Sequence, residues 1–99
     1  MCTAVSFLSG DHYFGRNLDL EYRYQESVTI TPRNYEFPFR TEQSIPVHFA
    51  MIGVATVADG YPLYYDAANE AGLAMAGLNF PGNAFYGSKK PDMYNITPF

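Results

Sequence analysis

The chain has 99 residues and a net charge of −4, and 47% of its residues are hydrophobic. This composition argues against disorder and predicts one small domain, or part of one, with a modest core. The six basic residues are scattered, which argues against a nucleic-acid partner. No apolar run approaches bilayer length, no secretory signal is present and only one cysteine occurs, so we expect a cytoplasmic protein.

The predicted elements are strands, since no window has the periodicity of a helix. Six stretches have β-branched, aromatic or apolar character, at residues 3–8, 13–17, 27–31, 49–58, 63–67 and 73–78. Turn signals separate them at 9–11, 59–62 and 69–72. Pro38 makes 34–40 an edge or irregular stretch, and 79–99 contains no regular element. Short turns between strands predict a largely antiparallel sheet.

Cys2 is the only cysteine and stands one peptide bond from the start of the chain. Removal of Met1 would place a thiol and a free α-amino group on one residue. This is a nucleophile with an adjacent base, because an α-amino group has a reference pKa of about 7.7–8.0 and can be neutral near physiological pH. Cys2 can equally be a small apolar residue that opens a strand.

A hairpin of the first two predicted strands brings the end of the second strand back to Cys2. Arg16, Asn17 and Asp19 are therefore its expected neighbours. Taken alone, Arg16 and Asp19 could form only a surface ion pair. Neither histidine has a partner at metal-ligand spacing and no glycine-rich phosphate loop occurs, so we predict neither a metal nor a cofactor.

Four motifs follow one another in a fixed order. They are M-C-T at 1–3, F-G-R-N-L-D at 14–19, Y-P-L-Y-Y-D-A with N-E-A-G at 61–67 and 69–72, and A-G-L-N-F-P-G at 76–82. No single motif is specific, but their combination closely resembles the choloylglycine hydrolase family, which comprises the bile salt hydrolases and penicillin V acylases. The resemblance covers essentially the whole chain.

The resemblance implies an N-terminal-nucleophile hydrolase of the α+β class. The family fold is an αββα sandwich, in which two antiparallel sheets lie between layers of helices. Family members are several times longer than 99 residues. We therefore expect residues 1–99 to be the N-terminal portion of a single, truncated domain, which supplies mainly antiparallel strands, with further site residues lying beyond Phe99.

The resemblance also implies a role for each site residue. Cys2, freed by removal of Met1, attacks an amide carbonyl, and its own amine shuttles the proton. Arg16 lies beside the thiol and favours the thiolate, and Asp19 orients the amine. The side-chain amide of Asn79 donates to the oxyanion, a contribution typically worth about 10²–10³ in kcat.

Asn79 favours glycine- or taurine-conjugated bile salts as substrates, because penicillin V acylases tend to have a Tyr at that position. An apolar wall for a steroid body is expected at Leu20, Tyr22, Tyr24 and Tyr61. Packing of the sheet would equally account for these side chains. The resemblance further implies a homotetramer.

Three alternatives stay open at this point. One is a penicillin V acylase-type amidase of the same family. Another is a truncated chain without activity, because no predicted helix covers the sheet. The third is a small β-rich binding module that uses its Tyr and Phe side chains for recognition.

Overall fold

The computed structural model describes residues 1–39, 43–79, 82–83, 85, 87–88 and 90–91. These residues form seven strands: β1 (Thr3–Ser9), β2 (Asp11–Asn17), β3 (Ser27–Thr31), β4 (Met51–Ala58), β5 (Tyr61–Tyr64), β6 (Asp66–Asn69) and β7 (Ala74–Ala76). Every pairing between them is antiparallel. Within the described part of the chain there is no helix, and therefore none that could cross a membrane.

The hairpin of β1 and β2 is a separate two-stranded sheet. Its strands pair along their whole length, from Thr3 with Asn17 to Ser9 with Asp11. Gly10 makes the turn with a φ of 72°, a conformation that glycine adopts without the penalty of a Cβ. The predicted hairpin is confirmed, and its register returns the end of β2 to the residues that flank Cys2.

The other five strands form a sheet around β4, in the order β3-β4-β6-β7 with β5 also paired to β4. One edge of β4 pairs with β3, and the other is shared by β6 at Met51 and Ile52 and by β5 from Ala55 onwards. The change of partner falls at Gly53. A Cβ on Gly53 would lie 1.9 Å from the carbonyl oxygen of Asp66, so this approach requires glycine.

Two predicted boundaries are wrong in this region. Tyr61 and Pro62, expected in a turn, begin β5. Pro62 is tolerated because β5 pairs only with β4 among the described strands, which leaves the other side of Pro62 without a ladder partner. The strand expected at 63–67 is interrupted at Tyr65, where the chain passes from β5 to β6.

Phe37 and Ala55 are the buried hydrophobic residues of the described chain, and Phe37 is 7% exposed. Aromatic rings surround Phe37 with centroids within 6.0 Å, and they belong to Tyr35, Phe39, His48 and Tyr61. On the face of β3 and β4 opposite to Ala55, by the alternation of side chains along a strand, Val28, Ile30 and Ile52 are exposed.

Candidate active site

Asn17 fixes the backbone on both sides of Cys2. Its side-chain Oδ1 accepts a hydrogen bond of 2.6 Å from the Thr3 N–H, and its Nδ2 donates one of 3.2 Å to the Met1 carbonyl oxygen. Both contacts follow from the hairpin register, which sets Asn17 opposite Thr3. The sequence predicted that Asn17 lies near Cys2 but gave it no function. The pairing of Asn17 with Thr3 at the end of the hairpin is the signal that identifies its hydrogen bonds to Thr3 and Met1.

Asp19 binds the N-terminal amine. Its Oδ2 accepts a hydrogen bond from the ammonium group of Met1, with which it also forms an ion pair. This hydrogen bond raises the pKa of the Met1 amine and lowers the pKa of the Asp19 carboxyl. The carboxylate stabilises the protonated form of this amine, whereas the neutral amine considered from the sequence was that of Cys2 after removal of Met1.

The sulfur of half-buried Cys2 has an environment that favours the thiolate. The pKa of its thiol is lowered, first by hydrogen bonding to the backbone of Asp19, then by hydrogen bonding to the backbone of Asn79. The positive charge of Arg16 acts in the same direction. Cys2 Sγ also donates a hydrogen bond of 3.9 Å to the Asp19 carbonyl oxygen, a contact made by the thiol form.

Arg16 extends from the hairpin to the five-stranded sheet. Its Nη2 donates a hydrogen bond of 2.5 Å to the Gly77 carbonyl oxygen, and its Nη1 lies 3.6 Å from Asp66 Oδ2. The surface ion pair with Asp19 considered above is therefore not formed, since each residue has a different partner. Arg16 Nε and Nη1 are buried and have no hydrogen-bond partner within the described residues.

Four of the eight site residues inferred from the sequence therefore come together: Cys2, Arg16, Asp19 and Asn79. The backbone of Asn79 lies at the sulfur, and donation by its side-chain amide to an oxyanion stays a prediction. Asp66 was not anticipated as part of this group. The available signal was a lone carboxylate within a strand of small and apolar residues, because a charge placed there needs a partner.

The described contacts do not join the expected apolar wall to Cys2. Leu20 is half-buried, whereas Tyr22 and Tyr24 are exposed. Tyr61 packs edge-on against Phe37, with ring centroids 6.0 Å apart, in the aromatic cluster of the core. Contact of these four side chains with a substrate stays a prediction. In the described ranges, no three His, Cys, Asp or Glu residues lie close enough to hold a metal ion.

Comparison with known proteins identifies the class to which this site belongs. The model of the family described as linear amide C–N hydrolases, choloylglycine hydrolase family, matches residues 2–99. The chain belongs to the choloylglycine hydrolase family.

The chain is 52% identical over 99 residues to the bile salt hydrolase/transferase of Lactiplantibacillus plantarum, an alignment that covers 100% of this chain and 31% of that protein. It is 51% identical over 83 residues to the conjugated bile acid hydrolase of Lactobacillus gasseri, covering 82% and 26% of the two chains. The chain thus spans about a third or less of the length of these relatives.

A solved structure supports the same assignment. The crystal structure of the C2A mutant of the conjugated bile acid hydrolase from Clostridium perfringens matches with a TM-score of 0.78 and 35% identity. The match covers 93% of this chain and 29% of that one. These findings confirm the fold class expected from the motifs, an N-terminal-nucleophile hydrolase fold to which residues 1–99 contribute antiparallel strands.

Proposed function

We propose that Cys2, once Met1 is removed, is the nucleophile of an amidase that hydrolyses glycine- or taurine-conjugated bile salts. The observation that carries the proposal is the group around the sulfur. Backbone hydrogen bonds at Asp19 and Asn79 and the charge of Arg16 favour a thiolate beside an N-terminal amine held by a carboxylate. A low thiol pKa near a cation is the usual environment of a reactive cysteine.

The two shifts in pKa have opposite signs. The thiol of Cys2 becomes more acidic, and the amine bound by Asp19 becomes more basic. Together they favour the proton on the amine rather than on the sulfur, and hence a thiolate beside an ammonium group. In the processed chain, we propose that the Cys2 amine takes the place of the Met1 amine on Asp19, while the Thr3 bond to Asn17 holds the backbone.

The reaction then follows in two stages. The Cys2 thiolate attacks the amide carbonyl carbon, and the C–N bond breaks after the ammonium group has given its proton to the leaving nitrogen. Water next attacks the thioester carbonyl, gives a proton to the amine and displaces the sulfur, which leaves a free carboxylic acid. Asn79, whose backbone already lies at the sulfur, is the proposed donor to the oxyanion in both stages.

The choice of bile salts over penicillin V has two supports. Asn79 is the residue that resembles the bile-salt-preferring group. The relatives described above are named as bile salt or conjugated bile acid hydrolases. Leu20, Tyr22, Tyr24 and Tyr61 are retained as a proposed apolar wall for the steroid body.

We further propose that residues 1–99 are the N-terminal portion of a single domain. Exposed apolar side chains on the sheet, such as Val28 and Ile30, are consistent with cover supplied by another part of that domain. A homotetramer in the cytoplasm completes the proposal, and light scattering on the purified full-length protein tests the oligomeric state.

The test is the Cys2→Ala variant of the full-length protein. Intact mass first establishes that Met1 is absent from the parent protein. Release of glycine and taurine from conjugated bile salts should fall by at least about 10³-fold, because no nucleophile remains. Hydrolysis of penicillin V, measured in parallel, ranks the two substrate classes.

Ser6→Ala is the matched control, since Ser6 lies on β1 but bonds His12 in the hairpin, at 2.7 Å. This variant should keep its activity. Undiminished bile salt hydrolysis by Cys2→Ala would end the proposal for Cys2. Faster hydrolysis of penicillin V by the parent would instead transfer the proposal to the acylase alternative.

A further inference from the structure

The carboxylate of Asp66 occupies the point where β4 changes partner. Its Oδ1 accepts a hydrogen bond of 2.9 Å from the Val54 N–H, and the Val54 carbonyl oxygen accepts one of 2.9 Å from the Tyr65 N–H. Asp66 thus supplies with its side chain the acceptor that a regular ladder would supply with its backbone. This bond fixes the orientation of the carboxylate and leaves Oδ2 for another partner.

That partner is Arg16. Asp66 Oδ2 lies 3.6 Å from Arg16 Nη1, and the two side chains are only 16% and 6% exposed, so water screens their interaction weakly. The guanidinium of Arg16 is also held by Gly77, which is itself bonded to Tyr65, the residue before Asp66. Gly77, which accepts from Arg16 Nη2, donates its own N–H to the Tyr65 carbonyl oxygen at 2.9 Å.

The distance between Arg16 and Asp66 has a consequence for the site. A charge-assisted hydrogen bond is usually about 2.7–2.9 Å long, so this pair is an ion pair without a hydrogen bond. Arg16 Nε and Nη1 have no hydrogen-bond partner in the described part of the chain. The guanidinium is held by the Gly77 carbonyl oxygen and by the Asp66 carboxylate, and its positive charge lowers the pKa of the Cys2 thiol.

We infer that Asp66 is a positioning residue that holds Arg16 and limits how much of its positive charge acts on the Cys2 sulfur. The inference deepens the proposed function. Its consequence for catalysis rests on the proposed amidase activity, but its consequence for the thiol does not. In the described residues, the charges that act on the sulfur are those of Arg16 and the Met1 amine; Asp19 pairs with that amine and Asp66 pairs with Arg16.

The sign of the effect follows from electrostatics. Asp66→Asn keeps an oxygen that accepts from the Val54 N–H but removes the negative charge. Arg16 is still bound to the Gly77 carbonyl oxygen, so its charge remains near the thiol with less opposition. The thiolate is then favoured, and the alkylation rate of Cys2 on the acidic limb of its pH profile should rise about two- to fivefold.

The experiment measures alkylation of Cys2 by iodoacetamide in the full-length protein across a pH series, with the Cys2 peptide quantified by mass spectrometry. Parent, Asp66→Asn and Glu70→Gln are compared, since Glu70 lies just after β6 and its variant also removes one carboxylate. We expect the profile to move to lower pH in Asp66→Asn and to stay in place in Glu70→Gln. An unmoved profile, or a move to higher pH, would reduce Asp66 to a structural residue and overturn the inference.

Asp66→Glu keeps the test decisive if the Asn variant does not fold. It retains the negative charge, so its profile should match the parent or move to higher pH. A move to lower pH would contradict the inference. In an Arg16→Gln background, Asp66→Asn should no longer move the profile. Because alkylation reports the thiol and not turnover, the inference and the proposed amidase activity can fail separately.

Discussion

Two arginine–carboxylate pairs in this molecule differ in their exposure to solvent and in their hydrogen-bond geometry. Arg33 donates from Nε and Nη2 to the two oxygens of Glu70, at 2.6 and 2.5 Å, and these side chains are 71% and 29% exposed. The side chains of Arg16 and Asp66 are only 6% and 16% exposed and meet at a single distance of 3.6 Å. Glu70 also accepts from the Ala50 N–H at 3.0 Å, so its pair fastens the turn after β6 to the start of β4.

The difference separates two uses of the same chemistry. In the exposed pair, Arg33 makes two hydrogen bonds to Glu70, and Glu70 also binds the backbone, which suits a structural role. In the buried pair, geometry is incomplete and the arginine keeps donors without a partner within the described residues. Incomplete pairing leaves Arg16 able to act on the Cys2 thiolate, an effect that a complete bidentate pair would weaken.

Loss of the arginine should have the largest effect, and it should separate the two pairs. Arg16→Leu leaves the Asp66 charge buried and unpaired, so the free energy of unfolding should fall by about 3–5 kcal/mol. Arg33→Leu removes an exposed partner and should cost only a small fraction of that. Urea unfolding of the full-length variants measures both.

The double variant Arg16→Leu/Asp66→Asn is the control for this prediction. Removing both charges while keeping an oxygen that accepts from the Val54 N–H should recover most of the lost stability, because the penalty comes from the unpaired carboxylate. Equal losses in Arg16→Leu and Arg33→Leu would show that burial does not distinguish the pairs.

Gly53→Ala should have the next largest effect, since it disturbs the buried pair without touching a charge. The new Cβ would lie 1.9 Å from the Asp66 carbonyl oxygen and 2.8 Å from the Ala67 Cα, which forces β6 away from β4. We expect a loss of about 1–3 kcal/mol or more in unfolding free energy, together with a displaced alkylation profile of Cys2.

Gly87→Ala is a suitable control for Gly53→Ala, because a Cβ at that position meets nothing within 4 Å. Its stability and its alkylation profile should both equal those of the parent. A stable Gly53→Ala variant with an unchanged profile would mean that Asp66 does not depend on the close approach of β4 and β6.

The hairpin could be predicted from the sequence more fully than the contacts that Arg16 and Cys2 make with the five-stranded sheet and Asn79. The hairpin and the nearness of Arg16 and Asp19 to Cys2 follow from local signals, namely β-branched and aromatic residues on both sides of the Ser-Gly-Asp turn. Asn79 could be assigned only through the family motifs, because its approach to Cys2 depends on packing between two sheets. Long-range contacts of this kind leave no local pattern.

Asp66 and the β5–β6 break were missed for the same reason. The run from Leu63 to Ala67 has the composition of one strand, and nothing local indicates that it changes from a pairing opposite Ala55 to one opposite Ile52. Pro62 was assigned to the turn signal at 59–62, yet β5 pairs only with β4 among the described strands, so Pro62 needs no N–H on its other side. The position of each residue in the folded sheet, rather than its intrinsic strand or turn propensity, determined the break at Tyr65 and the placement of Pro62.

The smallest expected effect is a pH dependence confined to the exposed pair. Hydrogen bonds from Arg33 and then from the Ala50 N–H lower the pKa of Glu70 from 4.5 to about 2. The folded pKa lies below the unfolded value, so ionised Glu70 stabilises the folded protein above about pH 5, and this contribution disappears as the pH falls towards 2. The difference in Tm between parent and Glu70→Gln should therefore shrink over that interval.

Salt gives the comparison its final test. The Arg33–Glu70 pair is exposed, so raising the ionic strength to about 1 M, where the Debye length is near 3 Å, should reduce the Tm difference between parent and Glu70→Gln at neutral pH. The corresponding difference for Arg16→Leu should persist, because the Arg16–Asp66 pair is buried. If salt reduced both differences equally, water would reach the buried pair, and Asp66 could not control the charge that Arg16 presents to Cys2.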